Sequence, residues 1–306
     1  MINECLNIQN IWIENETMKK LRLGFSSTFG TAEKFFTGVL GERYHVEVVK
    51  PEECDYLIFG DPNFGEEHYK YQNCVRILYT GENFRPNYWT YDRAITFDHE
   101  NSPKHYRLPL YVPEMHMYKA EGVTSDVLHL NSLLSKTDAD VPSGFCTFVQ
   151  SNPNQPIRNH FVETLSKYKQ VDCGGPLFNN IGYVLPRDDP RHKMDFVKQR
   201  KFNIAFENGT YPGYVTEKIL DALYAGVIPI YFGSSFVHRD FNPDRFINVH
   251  DYTNFNEVVE VVKEIDSDRS KWLKMVNQPV WKNNVPPACV NTDNFLDWWE
   301  TFVHYG

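Results

Sequence analysis

Short apolar runs alternate with amphipathic segments along the first half of the chain. A helix is predicted over SSTFGTAEKFFTGVL (26–40), whereas the two prolines of LPLYVPEM (108–115) argue against a regular central strand there. Residues 119–142 are polar and mixed, which predicts a helix followed by a linker. Four apolar runs bounded by turn residues are predicted strands: LRLGF (21–25), DYLIFG (55–60), VRILYTG (75–81) and RAITF (93–97).

The same alternation starts again at Gly144. Five further runs are predicted strands: GFCTFVQSN (144–152), VDCGG (171–175), FNIAFEN (202–208), VIPIYFG (227–233) and RFINV (245–249). Four segments with helical periodicity follow or separate them: IRNHFVETLSKY (157–168), HKMDFVKQRK (192–201), TEKILDALYAG (216–226), closed by Gly226, and NEVVEVVKEID (256–266). The first of these helices is predicted to carry four apolar residues on one face: Ile157, Phe161, Leu165 and Tyr168.

Strands that alternate with helices in both halves predict an α/β fold with two doubly wound, Rossmann-like domains. In such sheets, ligands bind at the carboxyl ends of the strands. We place the first domain at residues 1–142 and the second at 143–285. The tail, 286–306, contains DNFLDWWETFVHY, an aromatic amphipathic helix predicted to pack back on the protein. Its Asp297 and Glu300 do not suit an anionic lipid surface.

Composition narrows the class of protein. The chain has 306 residues, of which 42% are hydrophobic and 15% aromatic, enough to form the cores of two globular domains. A formal net charge of −9 at pH 7 argues against a nucleic-acid-binding protein. The first residues lack the pattern of a signal peptide, and no window approaches the roughly 20 apolar residues of a membrane helix. We therefore expect a cytoplasmic protein.

The segment FENGTYPGYVTEKILDALYAGVIPIYFG (206–233) carries the strongest chemical signal. Thr216 stands where a helix N-cap belongs, and the free N–H groups of a helix start favour an anion. Lys218 adds positive charge where a lysine does not favour the helix, and Glu217 can hold sugar hydroxyls. With Tyr214, these residues predict a nucleoside diphosphate site that is neither a P-loop nor a GxGxxG motif. An ordinary strand–loop–helix unit with a solvated Glu217 and Lys218 is the alternative that these residues leave open.

Longer motifs give this segment a family resemblance. FENGTYPGYVTEK, a short helix and AGVIPIYFGSS resemble, in this order, the signature of the α1,3-fucosyltransferases, glycosyltransferase family ten. The resemblance runs from about Asp55 to Tyr252 and is greatest to bacterial members that make Lewis-type structures. Gly209 stands where family members usually have Ser, a departure that concerns the shape of loop 209–212. Four other motifs fit the family: YTGEN (79–83), RLPLYV (107–112), SNPNQPIRNHF (151–161) and FNPDRFINVHDY (241–252).

The resemblance implies a GT-B architecture, with an acceptor-side domain first, a GDP-fucose-binding domain second and the active site between them. It implies inverting transfer of L-fucose from GDP-β-L-fucose to O3, sometimes O4, of N-acetylglucosamine. The expected acceptor is a lactosamine-type oligosaccharide or lipopolysaccharide, which would give a Lewis X-like product. Bacterial relatives often end in heptad repeats and a basic amphipathic tail. Peripheral association with the inner face of the membrane, and the oligomeric state, therefore stay open.

The resemblance also assigns the residues that would perform the transfer. An inverting displacement needs a base for the acceptor hydroxyl, which typically contributes ~10²–10⁴-fold, and Glu82 of YTGEN matches the proposed base. As GDP leaves, negative charge grows on its β-phosphate. Arg158 and Lys218 match positions that would stabilise this charge without a metal.

Other positions match contacts to the donor. Glu217 matches the residue at the nucleotide ribose, with a second implied role at the oxocarbenium-like sugar. Tyr214 and Asn208 match donor contacts, and Glu207 is expected behind them. The run 187–201 holds six Arg or Lys residues against three Asp, and we interpret it as a solvated helix face rather than a surface that steers the donor.

Competing interpretations concern metals and turnover. Asp138-Ala-Asp140 has the DxD form that holds a divalent metal in another glycosyltransferase fold, but we interpret this short match as chance. We expect no metal site, and at most a stimulatory effect of Mn²⁺ or Mg²⁺. The alternatives are a GT-B transferase with another nucleotide sugar and a non-catalytic GDP-sugar- or glycan-binding protein. Five aromatic residues are candidates for the acceptor side, with burial as the alternative: Trp12, Phe29, Tyr88, Trp89 and Tyr91.

Overall fold

The computed structural model contains two separate parallel β-sheets flanked by helices, which confirms the predicted α/β fold. It describes six stretches of the chain: 18–28, 30–60, 66–85, 87, 90–123 and 135–303. The two sheets lie on either side of residue 142, but the exact domain limits stay a prediction.

The first sheet has six strands in the order β2-β1-β3-β4-β5-β6, all parallel. Its elements are β1 (Lys19–Ser26), α1 (Gly30–Leu40), β2 (Tyr44–Val48), β3 (Tyr56–Phe59), β4 (Val75–Tyr79), β5 (Arg93–Thr96), β6 (His105–Arg107) and α2 (Tyr111–Ala120). The sequence pattern missed β2, β6 and α2. Pro113 lies in the first turn of α2, where the missing N–H has no partner within the helix, so the proline that argues against a strand is compatible with a helix.

The second sheet has five parallel strands in the order β11-β10-β9-β7-β8. Its strands are β7 (Gly144–Phe148), β8 (Val171–Cys173), β9 (Arg200–Phe206), β10 (Ile228–Phe232) and β11 (Ile247–Asn248). Its helices are α3 (Pro156–Ser166), α4 (Pro190–Val197), α5 (Glu217–Tyr224), α6 (Phe255–Ser267) and α7 (Arg269–Val276), of which α7 was not predicted. The run FNIAF in β9 is buried at every position, as expected for a strand covered on both faces.

Both sheets place their first strand between the second and the third. Connections therefore leave in opposite directions from β1 and β3, and again from β7 and β9, which opens a crevice at the carboxyl ends of these strands. The loops that follow β4, β7, β8 and β9 contribute to one shared cavity, so the carboxyl ends of the two sheets face each other.

The buried face of helix α3 differs from the predicted one. Phe161 and Leu165 are fully buried, but Ile157 is 52% exposed and Tyr168 is 36% exposed. The buried positions include Arg158, which takes the inward place that the apolar pattern assigned to Ile157. A polar residue at the helix start thus replaces an apolar one on the inner face, which hydrophobic periodicity cannot anticipate.

Buried polar contacts join the two halves. Asp240, from the second half, accepts hydrogen bonds from Arg107 at 2.5 Å and from the Tyr111 hydroxyl at 3.0 Å. Tyr111 also packs edge-on against Phe241, with ring centroids 5.2 Å apart. Because one hydrophobic core runs through both halves, the cleft between them has a defined geometry.

Helix α8 (Thr292–Glu300) returns to the first half of the molecule. Its Phe295 packs against Phe36 and Tyr106, with ring centroids 5.8 and 5.3 Å apart. Arg43, which lies between α1 and β2, donates to Asp297 at 2.7 Å and to Glu300 at 3.0 Å. The acidic residues of α8 therefore pair within the protein.

Trp299→Ala is expected to destabilise the protein by about 3–5 kcal/mol, because the indole is fully buried and its loss leaves a cavity. Trp298→Ala is a matched control on the same helix. Trp298 is only partly buried and donates to the carbonyl of Pro103 at 3.1 Å, so its loss should cost about 1 kcal/mol. Urea unfolding of both variants measures the difference, and equal losses would contradict it.

Candidate active site

A polar cavity of about 380 Å³ lies where the carboxyl ends of the two sheets meet. Its volume falls within the roughly 300–1,000 Å³ of small-molecule sites. One wall comes from the first half, through Glu82 in the loop after β4. The other polar lining residues come from the second half: Gln150, Ser151, Asn152, Arg187, Asp189, Lys193, Asn208, Glu217 and Lys218.

The helix start predicted at Thr216 is present, but Thr216 does not cap it with its side chain. The Thr216 hydroxyl instead donates to Glu207 at 2.6 Å, and the Thr216 backbone N–H donates to the same carboxylate at 2.8 Å. The first turn of α5 therefore lacks a side-chain cap from Thr216, and the carboxylate of Glu217 accepts a hydrogen bond from its own backbone N–H.

Lys218 lies between two carboxylates. Its ammonium is 3.4 Å from Glu207 and 3.3 Å from Glu217, and it donates to the Thr216 hydroxyl at 3.0 Å. Burial alone would lower the pKa of Lys218, but Glu207 and Glu217 outweigh burial and raise it. Burial likewise favours the neutral form of Glu217, yet Lys218 and Lys193 hold its pKa below the usual range. Both side chains are thus charged and held at the cavity wall.

Arg158 is a buried cation without a carboxylate partner. It is 1% exposed, donates to the side-chain oxygen of Asn208 at 3.0 Å and to the carbonyl of Asn152 at 2.7 Å. Its Nε has no partner, and no ion pair to it occurs within the described residues. Burial accordingly lowers its pKa. Arg158 lies behind Asn152 and Asn208, which line the cavity, and adds positive charge that the nearby Glu207 offsets only in part, since burial still lowers the pKa of Arg158.

Glu82 is oriented by a residue from the other half. The hydroxyl of Tyr214 donates to Glu82 Oε2 at 3.2 Å. Tyr214 is 0% exposed, and burial, followed by the charges of nearby carboxylates, raises its pKa so that it remains a donor. In this geometry the hydroxyl serves Glu82, so the predicted contact of Tyr214 with the donor stays a prediction.

Close approach of the two halves depends on glycines in the loop after β9. Gly213 has φ +92°, and a Cβ there would lie 2.6 Å from the carbonyl oxygen of Phe97 in the first half. A Cβ on Gly209, the position that departs from the family pattern, would lie 2.9 Å from the side-chain nitrogen of Asn83. Asn83 is the neighbour of Glu82, so the shape of this loop bears directly on the cavity.

Two basic side chains line the cavity although the sequence analysis did not place them there. Arg187 and Lys193 belong to the run 187–201, which we interpreted as a solvated helix face, but both line the cavity. Arg191 and Lys198 do match that interpretation, since both are exposed and pair with neighbouring aspartates. The excess of basic residues in this run could have indicated an anion-binding surface. Which of these side chains would point into the cavity could not be predicted from the sequence.

Other candidates lie away from the cavity or outside the described residues. Tyr91 is buried, and its hydroxyl accepts a hydrogen bond from the Asn87 backbone at 3.1 Å, so it is unsuited to contact an acceptor. Asp140 of the DxD match accepts two hydrogen bonds from Thr137, at 2.8 and 2.6 Å, in a short 3-10 turn. The remaining aromatic candidates lie outside the described residues: Trp12, Phe29, Tyr88 and Trp89.

The described residues contain no group of three or more His, Cys, Asp or Glu side chains arranged to hold a metal ion. Within the same part of the chain, every helix is too short or too polar to span a bilayer.

Family models match most of the chain. Residues 142–297 match glycosyltransferase family 10 (fucosyltransferase), C-terminal part, and residues 22–113 match the alpha-(1,3)-fucosyltransferase FucT N-terminal domain. Alpha-(1,3)-fucosyltransferase FucT of Helicobacter pylori is 37% identical over 265 residues, which cover 78% of this chain and 54% of that protein. A putative fucosyltransferase of Acanthamoeba polyphaga mimivirus is 25% identical over 77% of this chain and 35% of its own length. The chain thus spans about half the length or less of these relatives.

Solved structures agree with the family match. An α1,3-fucosyltransferase with GDP-fucose has a TM-score of 0.77 at 31% identity, covering 100% of this chain and 94% of that one. Another crystal structure of an α1,3-fucosyltransferase has a TM-score of 0.79 at 32% identity, covering 94% of this chain and 91% of that one. The two facing α/β halves have the GT-B fold, and the chain belongs to glycosyltransferase family 10, the fucosyltransferases.

Proposed function

We propose that the protein transfers L-fucose from GDP-β-L-fucose to O3 of N-acetylglucosamine in a lactosamine-type glycan, with inversion. One observation carries this proposal: a carboxylate from the first half, Glu82, faces a cation-rich wall from the second half across one cavity. Relatives named as α1,3-fucosyltransferases, and a neighbour solved with GDP-fucose, support the choice of donor and linkage.

Glu82 acts as the general base. As the acceptor oxygen attacks C1 of fucose, the carboxylate takes the proton of that hydroxyl, and the bond from C1 to the β-phosphate oxygen breaks. The hydrogen bond from Tyr214 to Oε2 fixes the carboxylate, which leaves Oε1 for the acceptor proton. A single displacement of this kind inverts the configuration at C1.

The leaving GDP is stabilised by charge from the second half. In this proposal Lys218, at the cavity wall, and the start of α5 interact with the diphosphate, while Arg158 adds positive charge from behind Asn152 and Asn208. Asn208, which accepts a hydrogen bond from Arg158, contacts the donor in this proposal, and so does Tyr214. Glu217 contacts the ribose and favours the positive charge that develops on the sugar. These cations account for leaving-group stabilisation without a metal, so we propose that divalent ions are at most stimulatory.

The acceptor in this proposal is an oligosaccharide or lipopolysaccharide that contains N-acetylglucosamine, and the site of action is the cytoplasm, with peripheral membrane association left open. Two other functions would use the same cavity. A GT-B transferase could take a different nucleotide sugar, and a binding protein could hold GDP-fucose without turnover. The intact set of Glu82, Arg158 and Lys218 favours the fucosyltransferase.

The test is product formation from GDP-fucose and N-acetyllactosamine, with and without EDTA, with GDP-mannose as the control donor. We expect an α1,3-fucosylated product, identified by mass and NMR linkage analysis, that persists in EDTA. Complete loss in EDTA, restored by Mn²⁺, would contradict the metal-independent mechanism. GDP-fucose binding without any product would favour the binding protein, and transfer from GDP-mannose alone would favour the other transferase.

A further inference from the structure

Three side chains connect a helix of the first half to the cavity wall of the second half. The hydroxyl of Tyr118, on α2, donates to Asp221 Oδ1 at 2.5 Å. Asp221, on α5, is completely buried, and its Oδ2 accepts from the ammonium of Lys193 on α4. Lys193 lines the cavity, and its side chain is 26% exposed. The chain of contacts therefore ends at an ammonium that a ligand in the cavity can reach.

The ammonium of Lys193 has capacity left for a ligand. A lysine carries three N–H donors, and Asp221 is the one hydrogen-bond partner of Lys193 within the described residues. Asp221 lies behind the lysine and does not line the cavity, so the positive end faces the ligand side. Glu217, at the cavity wall, also interacts with the charge of Lys193, which helps to lower the pKa of Glu217. Glu114 is near as well, but burial, with the charges of Glu217 and Asp221, raises its pKa to about 8. It adds little negative charge at neutral pH.

The pairing of the neighbouring Lys218 with carboxylates favours a role for Lys193 in binding an anion. Lys218 is shared between Glu207 and Glu217, so much of its charge is already offset. A nucleoside diphosphate concentrates its negative charge on two phosphates, and a lysine ammonium acts on phosphate as a compact point charge. Among the parts of a nucleotide sugar, the diphosphate is therefore the part that Lys193 would bind.

We propose that Lys193 binds the diphosphate of the donor and that Tyr118 is a positioning residue that sets Lys193 through Asp221. This inference rests on the nucleotide-binding part of the proposed function. Tyr118 occupies one oxygen of Asp221, which leaves the other directed at Lys193. Without the hydroxyl, the buried carboxylate has one oxygen unpaired and is free to turn, so the ammonium loses its fixed place. The first half of the molecule thereby influences donor affinity without contacting the donor.

The Lys193→Met variant tests the binding role by calorimetry with GDP and with guanosine. We expect GDP affinity to fall by about ten- to a hundred-fold and guanosine affinity to stay unchanged, because only GDP carries phosphate. Lys198→Met is the matched control, since Lys198 lies at the end of the same helix, is exposed and pairs with Asp195 at 2.5 Å. Equal losses for GDP and guanosine, or an unchanged GDP affinity, would overturn the role of Lys193. If Lys193→Met does not fold, Lys193→Gln provides the same measurement, because it also removes the charge while its amide can still donate a hydrogen bond to Asp221.

The Tyr118→Phe variant tests the positioning role. We expect GDP affinity to fall by about three- to ten-fold, guanosine affinity to stay unchanged, and the KM for GDP-fucose to rise with little change in kcat. Tyr168→Phe is the control, because the Tyr168 hydroxyl makes the same kind of contact with Asp266, at 3.0 Å, just beyond the end of α3, and Tyr168 does not line the cavity. An unchanged GDP affinity in Tyr118→Phe would overturn the positioning role. GDP binding without fucose transfer in the wild type would refute the proposed function and leave this inference standing.

Discussion

The Glu82→Gln variant is expected to bind GDP with unchanged affinity and to lose about 10²–10⁴-fold in kcat for fucose transfer. An amide has nearly the shape of the carboxylate, and its oxygen can still accept the hydrogen bond from Tyr214. It cannot take the proton of the acceptor hydroxyl. Single-turnover transfer from GDP-fucose, with GDP binding measured in parallel, separates the chemical step from donor binding.

Two companion variants sharpen this test. Glu100→Gln changes an exposed glutamate of the same half and should leave kcat unaltered. Tyr214→Phe keeps the carboxylate but removes the hydroxyl that orients it, so its kcat should fall by less than that of Glu82→Gln. Normal turnover in Glu82→Gln would remove Glu82 as the base. A loss of GDP affinity equal to the loss of kcat would instead place Glu82 in donor binding.

The sequence predicted the elements whose hydrophobic pattern is unambiguous. The buried run of β9 and the amphipathic pattern of α6 were found because burial on their faces follows their own periodicity. Strand β2 was missed because it lies at the edge of its sheet and only its first residue is fully buried. Helix α2 was missed because its first turn contains Pro113, and a proline there is compatible with a helix only once the helix start is known.

The candidate site was predictable only in part, for a related reason. Thr216, Glu217 and Lys218 are neighbours in sequence, so one motif was enough to predict that they lie together at a helix start. The contact between Glu82 and Tyr214 joins residues 132 positions apart and exists only when both halves are folded and packed together. Lys193 likewise acquires its place from Asp221, on a different helix, and no local pattern contains that information.

Lys218→Met is expected to reduce stability and GDP affinity together. Removing the ammonium leaves Glu207, which is buried, without its cation, and breaking a buried ion pair on one side costs about 3–5 kcal/mol. The two hydrogen bonds from Thr216 remain, so we expect the lower end of that range. Urea unfolding measures the loss. Lys271→Met, which breaks an exposed pair with Glu264, is the control and should cost at most about 1 kcal/mol.

The double variant Glu207→Gln with Lys218→Met separates the two effects of the lysine. Neutralising Glu207 removes the uncompensated buried charge, so most of the stability should return, and Gln can still accept from the Thr216 backbone N–H. GDP affinity should remain low while guanosine affinity is normal, because the phosphates still lack the ammonium. If GDP binding recovered with stability, Lys218 would serve the fold alone. If guanosine binding fell as far as GDP binding in the restored protein, the phosphate role of Lys218 would be wrong.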